Sequence, residues 1–198
     1  MHRALWIIVL TFLAWVIPAD HAVSQDDTEE TTAEELEALT VPSEPHELLA
    51  GTVGDWTLTI RVWSSPEAEP IESIGSATGR WILGDRFVET TFEGEVLGRP
   101  FEALKIEGYE TVNEEYVSTW RDNLGTYTMI FRGRCASTCV TRTMMADFRD
   151  PISTKKIKIK GVTTLTDEEG GYTYESFVVT PDGQEFKNME LVAAHSAP

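Results

Sequence analysis

The residues able to do chemistry are scattered along this chain rather than grouped. Of four histidines, His2 and His21 lie in or beside an apolar N-terminal run, which leaves His46 and His195 for the body. No Ser-His-Asp order, G-x-S-x-G or H-x-x-x-H spacing occurs, so neither a nucleophilic triad nor a helical zinc site is spelled out. Glu89 and Glu175 sit in strand-like runs and could serve as a buried base, although nothing beside them marks either one. Cys135 and Cys139 form a C-x-x-x-C pair between two strand-like runs. A redox pair prefers C-x-x-C at a helix start, and a zinc site would need two more ligands nearby. A structural disulfide clipping a hairpin tip is therefore expected, with free thiols as the alternative.

The remaining candidates suit binding better than catalysis. Arg86 and Glu89 are three apart, so on a strand they point to opposite faces and one of them is expected to face inward. An inward arginine in partly apolar surroundings needs a carboxylate or a ligand anion beside it. Tyr109, Tyr116 and Trp120 would supply aromatic walls, which suit an apolar pocket and an ordinary core equally well. With Trp56 they complete the expected ligand-binding set: Trp56, Arg86, Tyr109, Tyr116 and Trp120. No catalytic residue, metal ligand or cofactor is expected.

These side chains must be positioned by strands. From Asp55 onward, β-branched and aromatic runs alternate with turn chemistry, as in "DWTLTIRVW", "EYVSTWRD" and "KKIKIKGVTTL". Gly84-Asp85 carries a two-residue hairpin signal. About ten strands are joined by short links, and short links make sequential strands antiparallel neighbours. The expected fold is all-β: an antiparallel up-and-down, lipocalin-like barrel of about ten strands, which hides its edges by closing. A sandwich is the rival arrangement. One short helix should precede the first strand over "SEPHELLAG", with Ser43 as N-cap, Pro45 in the first turn and Gly51 at the end. Several strands carry bulk on both faces, which fits a wide barrel with room inside, or loose alternation around a filled core.

The start of the chain and its charge bound the compartment and partners. Met1-His2-Arg3 precedes the apolar run Ala4 to Ile17, which is shorter than the roughly 20 residues a spanning helix needs. Ala22 and Ser24 suit the −3 and −1 positions of a cleavage site, so residues 1–24 are read as a signal peptide and the protein as periplasmic or secreted. An uncleaved anchor is the alternative; after cleavage no membrane span is expected. Residues 25–45 form an acidic linker without Lys or Arg, too polar to offset the entropy of ordering. The net charge of −17 excludes bulk electrostatic binding of nucleic acid or anionic lipid. Lys156, Lys158 and Lys160 alternate with Ile157 and Ile159, a solvated face or a docking patch for an anionic partner.

Two resemblances narrow the fold. Gly54-x-Trp56, at a helix-to-strand junction, resembles the G-x-W signature of lipocalin-like (calycin) barrels, where the indole plugs the barrel base. The segments "HELLAGTVGDWTLTIRVW", "GRWILGDRFVETTFEGEVLGRPFEALKIEGYE", "EYVSTWRDNLGT" and "DGQEFKNMEL" together resemble the DUF1579 family of bacterial proteins. Asp85 and Ala103 depart from glycines of that pattern, and the C-x-x-x-C hairpin is unusual for it. The resemblance implies a lipocalin-like barrel domain over residues 46–198 and no established activity. Haem-binding barrels related to nitrobindin ligate iron through a histidine, but their G-x-W-x-G-x-G start is absent, and His195 reads as a terminal residue.

The function that follows is non-catalytic binding of a small apolar or amphipathic molecule. An enzyme using a barrel carboxylate and a cell-envelope interaction protein are the alternatives.

Overall fold

The computed structural model describes residues 32–135, 139–150, 154–166 and 170–196. The signal peptide expected over 1–24, and residues 25–31 of the acidic linker, lie outside them. The rest of that linker contains a helix, α1 (Ala33–Thr40). Next comes α2 (Glu44–Glu47), continued by a 3-10 turn over Leu48–Thr52. Ser43 caps α2 and Pro45 sits in its first turn, as expected. The backbone N–H of Ser43 donates to His46 Nδ1 at 3.0 Å, closing a capping box with histidine in the place of the usual Glu or Gln. None of the helices among the described residues is long and apolar enough to cross a membrane.

Ten strands follow: β1 (Gly54–Val62), β2 (Ile71–Ile82), β3 (Phe87–Val96), β4 (Arg99–Glu110), β5 (Glu115–Asp122), β6 (Met129–Cys135), β7 (Thr141–Arg149), β8 (Lys156–Leu165), β9 (Tyr172–Val179) and β10 (Glu185–His195). Each pairs antiparallel with its sequence neighbours, and β1 pairs with β10 from Trp56↔His195 to Val62↔Met189, closing the barrel. Closure leaves no edge strand. A bulge at Asn188 in β10, between Lys187 and Met189, shifts the register against β9.

The turns sharpen two expectations. The link expected at Gly84-Asp85 spans four residues, and Leu83, Gly84 and Asp85 all have positive φ. The two-residue hairpin is instead Leu97-Gly98, with φ of 53° and 74° between the paired Val96 and Arg99. The disulfide is formed: Cys135 and Cys139 are bonded across the β6–β7 tip with Cα atoms 4.8 Å apart.

One end of the barrel is closed by α2 and the 3-10 turn. Leu49 and Thr52 point in and are buried, and Trp56 Nε1 donates to the Thr52 carbonyl at 3.2 Å. Trp56 is 1% exposed, packed edge-on to Tyr172 and stacked on His195 at 4.1 Å. Two glycines permit this seat. Gly54 enters β1 at φ 131°, and a Cβ at Gly79 would lie 2.1 Å from the Thr52 carbonyl oxygen. The indole expected at the barrel base is there.

Candidate functional site

The interior follows the pleat. Along β3, Val88, Thr90 and Phe92 are buried, while of the residues alternating with them Glu89 is half-buried and Thr91 and Glu93 are exposed. The same alternation turns Phe101, Ala103, Lys105, Glu107 and Tyr109 of β4 to one side, and Tyr116, Ser118 and Trp120 of β5. Above the Trp56 plug the barrel is hollow. An inner chamber of about 50 Å³ is walled by Lys105, Glu107, Ser118, Met144, Thr163 and Tyr172, among others. An outer chamber of about 280 Å³ reaches the strand ends furthest from α2, with Val62, Val96 and Leu124 at its rim. The two are adjacent, walled in common by Phe92, Trp120, Phe131, Tyr174, Met189 and Leu191. Their walls are mostly apolar with a few convergent polar groups, the usual make-up of a small-molecule site.

The polar groups concentrate in the inner chamber. Glu107 is 3% exposed, and its Oε2 accepts a hydrogen bond from Lys105 Nζ at 2.8 Å. Arg142, 1% exposed, approaches Glu107 Oε1 with Nη2 at 3.1 Å. That approach is too oblique for a hydrogen bond, so Glu107 Oε1 and Arg142 Nη2 and Nε have no hydrogen-bond partner. The guanidinium is held from the closed end, where Nη1 donates to the Leu48 carbonyl at 3.3 Å, and it lies 5.1 Å from the Tyr116 ring centroid. Burial opposes ionisation of Glu107, but the Lys105 and Arg142 charges outweigh it and hold its pKa down at about 2. A carboxylate with so low a pKa is ionised near neutral pH and is a weak proton acceptor there. Burial pushes the Tyr174 hydroxyl up to about 12, and that of Tyr172 higher, so both remain protonated.

At the outer chamber, Asp122 gathers three donors: Trp120 Nε1 at 2.8 Å, the Tyr127 hydroxyl at 3.1 Å and the Leu124 N–H at 3.0 Å. This ties the Trp120 indole to the rim.

Of the five residues expected to bind ligand, Trp120 lines both chambers. Trp56 is the plug below them. Tyr116 is buried on the inward face, but its hydroxyl donates to the Pro45 carbonyl at 2.9 Å, and Tyr109 packs edge-on against it at 5.1 Å. Both tyrosines thus serve the contact with α2. Arg86 lies outside the barrel; its Nε donates to the Thr40 carbonyl at 2.9 Å and its Nη1 to Gly84 at 3.0 Å. Glu89 is on the outer face too, paired with Arg80 at 2.6 Å, so the expectation that Arg86 or Glu89 faces inward fails. Phe87 starts β3 one residue later than an inward Arg86 requires. Glu175 also faces out, 3.1 Å from Lys187. The Lys158 and Lys160 side chains pair with Asp147 and Glu185, which suits the solvated face.

The interior charges, Lys105, Glu107 and Arg142, were not singled out from sequence. Their signal was available: each falls in the same alternate positions as buried apolar neighbours, Ala103 on β4 and Met144 and Ala146 on β7. Among the described residues no group of three or more His, Cys, Asp or Glu could hold a metal ion.

Comparison with known proteins agrees with the architecture. The chain is similar to the protein in "Crystal Structure of Rv2717c from M. tuberculosis", with a TM-score of 0.58 at 13% identity, over 79% of this chain and all of that one. At that identity the likeness concerns the fold. No curated protein matches the sequence. The profile of the family described as "Protein of unknown function (DUF1579)" matches residues 41–194. With most of its length covered by that profile and its barrel closed as described, this chain belongs to the DUF1579 family.

Proposed function

We propose that this protein is an exported barrel that binds a small apolar or amphipathic molecule inside its cavity, without catalysis. The observation that carries the reading is the pair of adjacent chambers inside the barrel, apolar towards the rim and with charged groups at the depth. A barrel stabilised only by its core would gain from filling such a space, because each missing packing contact costs dispersion energy. The depressed pKa of Glu107 speaks against a general base there. Export is supported by the charged and apolar start of the chain and by the Cys135–Cys139 disulfide.

Native mass spectrometry of protein purified from its own host tests both parts. The expected result is a mature chain beginning at Gln25 that carries a bound small molecule released on unfolding. A chain that never co-purifies with a ligand, and that takes up no apolar probe in solution, would overturn the binding role. An intact N-terminus on the envelope-free protein would overturn export.

A further inference from the structure

We infer that the inner chamber seats the head of the ligand and that this head is a single carboxylate, with its hydrocarbon tail lying in the outer chamber. The inference rests on the binding role proposed above and names the ligand class. Two cations, Lys105 and Arg142, meet one carboxylate, Glu107, at the chamber. The cluster therefore carries one more positive charge than negative, with Glu107 and Arg142 buried and the Lys105 side chain 16% exposed. Such a charge is costly unless an anion joins it.

The hydrogen bonding repeats the imbalance. Among the described residues the Lys105 ammonium donates only to Glu107, out of three N–H bonds it can offer. The two cations are not equivalent. Both share Glu107, but Arg142 does not line the chamber and is anchored to Leu48 and Tyr116 at the closed end. Lys105 does line the chamber and is the charge left for a ligand. The hydroxyls of Ser118, Thr163 and Tyr174 share that wall and offer further donors.

A monoanion brings the group to neutrality, a neutral head leaves the excess, and an ammonium doubles it. The narrow depth of about 50 Å³ favours a small planar head over a bulkier one. Two acids, Glu93 and Asp122, line the outer chamber. Asp122 sits one inward position further along β5 than Trp120, which pairs with Lys105, and it is held there by Trp120, Tyr127 and Leu124; among the described residues the only ion pair of Lys105 is with Glu107. Between the inner chamber and the rim, Leu58, Ile60, Phe131, Ile159 and Leu191 make a sleeve for a chain.

The test is isothermal titration of protein expressed from the full-length coding sequence with dodecanoate, 1-dodecanol and dodecylammonium at pH 8. Dodecanoate should bind roughly tenfold to a hundredfold more tightly than dodecanol, the range expected for hydrogen bonds to a charged partner. Dodecylammonium should bind weakest. Lys105→Met should abolish the preference, so that dodecanoate and dodecanol bind this variant equally well. Equal affinities for acid and alcohol in the native protein, or a preference for the amine, would overturn the carboxylate head and leave the cavity's binding role standing. Failure of all three to bind would overturn both. The series on the native protein decides the matter even if K105M does not fold.

Discussion

Glu107 on β4 and Arg142 on β7 meet at 3.1 Å, although β5 and β6 stand between their strands in the barrel wall. The pair bridges the interior rather than the sheet. It joins the floor of the cavity to the closing helix, because Arg142 also donates to the Leu48 carbonyl. Substituting Glu107 by Ala would leave Lys105 and Arg142 facing each other without a counter-charge. The expected loss is about 3–5 kcal/mol of folding stability, read from urea denaturation midpoints.

Stability should also fall with acid. The Glu107 pKa drops on folding from 4.5 to about 2. A group depressed in this way stabilises the fold fully above its unfolded value, and that contribution disappears as pH falls from about 4.5 towards about 2. On the order of 3 kcal/mol is at stake. His46 adds an earlier step: burial lowers its pKa below 6.5, so its neutral form is favoured in the fold and stability begins to decline as pH falls through that value. Thermal melts from pH 8 to pH 2 on the native protein and on E107Q separate the two. E107Q should retain the His46 step and lose most of the slope below pH 4.5.

Two tryptophans should divide stability from binding. Trp56→Ala removes the buried plug and should cost about 3–5 kcal/mol, seen in denaturation curves. Trp120→Leu keeps an apolar wall but shortens it and frees Asp122. It should weaken uptake of an apolar probe several-fold in fluorescence titration and destabilise less than W56A. Equal effects of the two on binding would contradict the cavity as the ligand's place.

The disulfide should matter modestly. Cys135 and Cys139 close a loop of very few residues, for which chain entropy predicts about 2 kcal/mol at most. The double serine variant should unfold at slightly lower urea and bind apolar probes as before, since the β6–β7 tip lies at the end away from the cavity rim.

Much of the barrel was legible because local rules govern it. Period-two patterning splits "RFVETTF" into Val88, Thr90 and Phe92 against Phe87, Glu89 and Thr91, though with bulk on both sides it does not say which set faces inward, and Gly54-x-Trp56 announces the plug. Arg86 misled for a local reason as well: it follows the inward parity of β3 but lies in the four-residue turn before it, where the chain has left the sheet and its side chain reaches back to Thr40. One turn longer than its glycine suggested was enough to move a charge from inside to outside.

Pattern along the chain determined the strands, their order, the capped helix and the antiparallel pairing of neighbours, because each depends on residues a few positions apart. The site depended on closure. Lys105, Glu107 and Arg142 become one buried cluster only when strands 35 residues apart curl round to face each other, since Glu107 and Arg142 share no ladder bond. Coulomb attraction across a dry interior acts through space and not along the sequence, so only the finished cylinder decides which charges meet and which one is left over.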